Sequence, residues 1–104
     1  MANSEALSAL ADPTRRAIFE ALADGPSAVK DLAAVVPVSR PAVSQHLRVL
    51  KDAGLVTDHG EGNRRIYQIE PEGIRDLQEY LGRFWVTALA SYKHRIERIQ
   101  EDHP

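Results

Sequence analysis

SRPAVSQHLRVLKDAG, residues 39–54, decides how this chain folds. Ser39 can cap a helix, Pro41 suits its first turn, and Gly54 closes it, while Val43, Leu47 and Leu50 recur at i, i+4 and i+7. Stepping about 100° per residue from that apolar stripe places Pro41, Gln45, Arg48 and Asp52 on the opposite side, with Ser44 on the flank. Immediately upstream, Ser27 is expected to cap a shorter helix with Val29, Leu32, Ala33 and Val36 facing inward. Pro37 stops that helix and Val38 spans a very short turn. Two short helices joined by a tight turn, the second longer and opened by Ser and Pro, form a helix-turn-helix over about residues 28–53.

Outward from this unit the pattern remains readable. Leu7 and Leu10 mark a first short helix, closed by Asp12-Pro13 because Pro biases the residue before it away from helical angles. Asp12 then caps a second helix with Pro13 in its first turn, with Ile18, Ala21 and Leu22 inward, and Gly25-Pro26 ends it. Downstream, Leu55–His59 and Arg64–Ile69 are runs of strand formers separated by Gly60-Glu61-Gly62-Asn63, a hairpin turn. A two-stranded ribbon placed directly after a helix-turn-helix is a wing, here about residues 55–69. From Pro71 to about residue 101 the spacing predicts one long helix striped by Ile74, Leu77, Leu81, Phe84, Trp85, Ala88, Leu89, Tyr92, Ile96 and Ile99. That stripe is longer than so small a domain can cover, and a second copy of the chain is its simplest partner. Phe84, Trp85 and Tyr92 read as packing residues of that stripe before they read as the lining of an apolar effector pocket, so any small-molecule effector is left unknown.

Length and composition narrow the function. A chain of 104 residues has room for one core, so residues 1–104 are expected to form a single domain, mainly α with a small β-hairpin. With no cysteine, disulfides, thiolate metal sites and Cys nucleophiles are excluded. No apolar run is long enough to span a bilayer, and the first residues lack a signal-peptide pattern, so the cytoplasm is the expected compartment, with no membrane partner. Catalysis is not expected: Ser44 and His46 are two apart and do not face each other on a helix, and no Gly-rich phosphate loop, HExxH or GxSxG occurs. No catalytic residue, metal or cofactor is assigned.

The chemistry that remains is recognition of duplex DNA. Net charge is −2, but residues 28–68 hold six basic side chains (Lys30, Arg40, Arg48, Lys51, Arg64, Arg65) against four acids, between two acidic flanks. On the outward face of the fourth helix, Gln45 suits bidentate adenine contacts, Arg48 guanine or phosphate, and Ser44 either kind. Ser39 and Arg40 stand where the helix start would enter a groove. His46 lies nearer the core side, and two readings stay open for it, a half-buried His bonded to backbone or a DNA contact. Arg64 and Arg65 fall on opposite faces of a regular strand, so one of the two is expected to reach the minor groove or backbone. A winged helix that binds protein instead of DNA is the alternative favoured by the acidic total, and steep salt dependence of DNA binding separates the two.

The run from Leu10 to Ile69 resembles the winged-helix core of the ArsR family of bacterial repressors. The resemblance is carried by Leu10–Arg16, the block Ser39 to Leu47, Ala53-Gly54-Leu55-Val56 and the Gly62–Arg65 wing turn, within about two-thirds of the chain. It implies a homodimer packed through the first and last helices, with Leu7, Leu10, Leu81, Trp85, Leu89, Tyr92 and Ile96 at the interface, binding an imperfect inverted repeat in its own promoter. Where many members carry a Cys-Val-Cys-Asp-Leu metal site, this chain reads Ala28-Val29-Lys30-Asp31-Leu32. His94 and Glu97 match part of a second family metal motif, but its partner Asp-x-His is replaced by Leu81-Gly82-Arg83. The chain therefore resembles the metal-site-lacking, SdpR-like subgroup.

Overall fold

Asp12 caps a helix as its sequence requires: its Oδ1 accepts the Arg15 N–H at 2.9 Å, and Pro13 occupies the first turn. In the computed structural model, which describes residues 2–102, that cap separates α1 (Ala2–Ala11) from α2 (Pro13–Leu22). Residues 1, 103 and 104 of the expected single unit lie outside the described residues. The chain continues through β1 (Ser27–Ala28), α3 (Val29–Ala33), α4 (Arg40–Asp52), β2 (Val56–Glu61), β3 (Arg64–Ile69) and α5 (Pro71–Asp102).

Three local expectations are corrected. Ser27 does not cap α3: it belongs to β1, and its hydroxyl donates to the Gly25 carbonyl at 3.4 Å. Ala28 takes the cap position without a side-chain bond, and α3 ends at Ala33, so Val36 is buried from the turn and not from the helix. The hairpin is therefore part of a three-stranded antiparallel sheet of order β1-β3-β2, with Ser27 opposite Tyr67 and Ala28 opposite Ile66. Finally, the wing turn is two residues long, not four. Glu61 pairs with Arg64, and Gly62 takes φ +64° while Asn63 stays at negative φ, the pattern of a tight hairpin with Gly first.

Ile18, Leu32, Val43, Leu47, Leu50, Leu55 and Val56 form the fully buried centre of the core. Val43, Leu47 and Leu50 have no exposure, which fixes the roll of α4, since burying each is worth about 1.5–3 kcal/mol. The end of α4 is equally determined. Gly54 at φ +80° lets its N–H bond the Lys51 carbonyl and the Leu55 N–H bond the Leu50 carbonyl, both at 3.0 Å, while Leu50 and Leu55 pack together in the core.

α5 starts against this turn. Glu70 caps it, accepting the Glu72 N–H at 3.1 Å, and a Cβ on Gly73 would overlap the Gly54 carbonyl. Ile74 and Leu77 still pack on the core, but from Leu81 onward the helix stands away from it. The radius of gyration is 18.9 Å, against about 13 Å for a compact chain of this length.

Candidate nucleic-acid interface

With one side of α4 held in the core, Ser39, Arg40, Ser44, Gln45 and Arg48 all lie exposed on its other side and at its start. The Ser39 oxygen accepts the Ala42 N–H at 3.3 Å, so it caps α4 and keeps its own hydroxyl proton to donate. The structure thus places these five residues of the sequence analysis on one exposed side of α4 and at its start. Among the described residues α5 does not cover them: it starts against Gly54, at the opposite end of α4.

His46 is half-buried, and its Nδ1 stands 3.5 Å from Nη1 of Arg15. Its neighbour is thus a side chain of α2 and not a backbone group. Arg15 itself donates through Nε to the Ala9 carbonyl at 2.7 Å, and Arg16 through Nη1 to the Leu10 carbonyl at 3.0 Å. Sequence reasoning gave neither arginine a role, although a signal was present. Two cations in the first turn of a helix oppose its dipole, so they call for acceptors elsewhere, and here the carbonyl end of α1 provides them. The Arg15 N–H, the charge of Arg15 and the more distant His46 together hold the Asp12 carboxyl below the usual carboxylate range.

In the wing, the two arginines separate. Arg65 binds Asp58 Oδ2 through Nε at 3.1 Å and Nη2 at 2.8 Å, and Asp58 Oδ1 accepts Lys51 Nζ at 2.7 Å. Those two partners keep the Asp58 carboxyl below its ordinary range. Arg64 is exposed and makes no ion pair among the described residues.

Along α5, Leu81, Phe84, Trp85, Leu89, Tyr92 and Ile96 are exposed, Trp85 by 64%. Leu7 on α1 is exposed as well, whereas Leu10 is half-buried. His94 and Glu97 lie exposed on α5. Among the described residues no helix is long and apolar enough to cross a membrane.

Comparison with known proteins agrees with this geometry. A family model described as a helix-turn-helix domain matches residues 10–59. The HTH-type transcriptional regulator Rv2034 of Mycobacterium tuberculosis is 56% identical over 94 residues, which cover 90% of this chain and 88% of that protein. The transcriptional repressor SdpR of Bacillus subtilis is 33% identical over 76 residues, 73% of this chain and 84% of its own. Among solved structures, the homodimeric winged helix-turn-helix DNA-binding domain of Mb0332 from Mycobacterium bovis, a possible ArsR-family transcriptional regulator, superposes with a TM-score of 0.64 at 31% identity, covering 88% of this chain and 82% of that one. A winged helix-turn-helix transcriptional regulator, and not an enzyme, is the class this fold and these relatives define. The chain belongs to the ArsR family, and its likeness to SdpR is consistent with the SdpR-like subgroup.

Proposed function

We propose that this chain is a cytoplasmic repressor that binds an inverted-repeat operator as a homodimer, its own promoter among the targets. One observation carries the reading: the outer face of α4 offers Ser44, Gln45 and Arg48 to solvent while Val43, Leu47 and Leu50 on its other side have no exposure. A helix so anchored can enter the major groove, with Gln45 and Arg48 on base edges, Ser44 on bases or phosphate, and Ser39 and Arg40 on the backbone where the helix begins. Arg64 reaches the backbone or minor groove from the wing. His46 contributes through its place beside Arg15 and makes at most a secondary contact. The homodimeric state of the Mb0332 domain and the bare apolar side of α5 support pairing through α1 and α5. Leu7, Leu10, Leu81, Trp85, Leu89, Tyr92 and Ile96 make that interface, and neither metal nor cofactor takes part.

Selection of bound fragments from the host genome, followed by titration at several salt concentrations, tests the reading. Gln45→Ala should cost about 1–3 kcal/mol and relax preference at one operator position, while Arg64→Ala should weaken all duplexes about equally. If both variants bind the selected operator as the parent does, this docking is wrong. If the selected fragments exclude the chain's own promoter, autorepression is wrong.

A further inference from the structure

A single carboxylate joins the recognition helix to the wing. The Asp58 side chain, on β2, is only 8% exposed, and both of its oxygens are occupied, one by Lys51 from the last turn of α4 and the other by two nitrogens of Arg65 on β3. The carboxylate is shielded while both cations stand half in solvent, so these pairs serve to fix geometry more than to add stability. The geometry also explains how two adjacent arginines divide their work. Arg65 lies one position before Ile66 and diagonal to Asp58, since Asp58 pairs with Tyr67 and Gly60 with Arg65. Arg64 pairs with Glu61 and falls on the other face of the strand, where it makes no ion pair among the described residues.

We propose that Asp58 is a positioning residue for DNA binding: it latches the wing to the C-terminal turn of α4 through Lys51, while Arg65 on the neighbouring strand holds its carboxylate in place for that bond, so these two cations set the wing's angle and Arg64 is the wing cation that meets phosphate. This rests on the DNA-binding reading above. It reverses the simplest electrostatic expectation. Removing an acid from a surface that faces DNA should tighten binding, because the protein's field becomes more positive. Removing Asp58 should instead weaken binding, because the wing is no longer held where Arg64 can reach.

The experiment compares Asp58→Asn, Arg65→Gln and Arg64→Gln in two measurements. The first is operator affinity between 50 and 200 mM salt. Arg64→Gln should make the slope of log affinity against log salt shallower by about 0.9 for each protomer, as expected when one phosphate contact is lost. Asp58→Asn and Arg65→Gln should keep the parent slope and weaken binding about fivefold at every salt concentration, and the protein carrying both Asp58→Asn and Arg65→Gln should lose no more than either single variant. The second measurement needs no DNA. Amide hydrogen exchange of the free protein should speed up in β2 and β3 in both latch variants, while the amides of α2 and the centre of α4 keep the parent's rates. Tighter binding by Asp58→Asn, or a shallower salt slope in Arg65→Gln, overturns the latch. Unchanged exchange in the wing overturns it as well, even if the parent binds no duplex and the DNA reading itself has failed.

Discussion

Asp12 caps α2 through the Arg15 N–H, and that same bond, reinforced by the charge of Arg15 and more weakly by His46, holds its carboxyl below the ordinary range. A depressed carboxylate contributes stability that is fully present above the unfolded-state pKa of about 3.9 and is lost as pH falls through the lower folded value. Asp12→Ala should therefore lower the melting temperature at neutral pH, and the deficit should shrink once the pH drops below about 4. A deficit of the same size at pH 3 and pH 7 in thermal unfolding would remove the charge from this account. Asp12 as a cap was legible from the Asp-Pro pair, and the faces of α4 were legible from helical spacing, because both are local rules. The partners of Arg15, Arg16, His46 and Asp58 were not, since each bond crosses between elements. Spacing along one helix carries no information about which carbonyl or carboxylate another element will bring alongside.

Each helix was visible from its apolar period, and α2 and α4 from their caps as well, whereas the cap given to α3 belongs to β1, which was not visible. Two residues give no alternation to count, and Ser27 before a helical run satisfies a capping rule as well as it satisfies an edge strand. Its place is decided by pairing with Tyr67 and Ile66, some forty positions away in sequence. The close passage of α5 over the end of α4 was hidden for the same reason. Nothing in Pro71-Glu72-Gly73 distinguishes a glycine that has to be bare from one that is merely tolerated in a helix's first turn. The structure distinguishes them, because a side chain on Gly73 would occupy the volume of the Gly54 carbonyl. Gly73→Ala should accordingly destabilise the fold by about 1–3 kcal/mol, although alanine is the better helix former. Urea unfolding reads this directly, and a variant as stable as the parent would mean that α5 can shift aside at no cost.

At the scale of the whole molecule, the chain extends 69 Å in one direction and 26 and 22 Å in the others, with the apolar side of α5 bare along most of its length. The sequence predicted this stripe and its excess over what one small core can cover, because an amphipathic period persists whether or not a partner is present. Pairing through α5 implies that Trp85→Ala should shift sedimentation from dimer toward monomer at micromolar concentration. Operator affinity should fall by at least about tenfold, since two half-sites bind together only while the protomers stay joined. A Trp85→Ala protein that sediments as an intact dimer would exclude this residue from the interface. The contact between Gly54 and Gly73 has a mechanical consequence for such a pair. Backbone touches backbone there, with no flexible side chain to act as a cushion, at the base of a rod about 48 Å long by its rise of about 1.5 Å per residue. A displacement of roughly 4 Å at the far tip of that rod is a tilt of only about 5° at its root. Such a tilt toward α4 meets the Gly54 carbonyl first, so on that side the root of the long helix has a hard stop made of backbone.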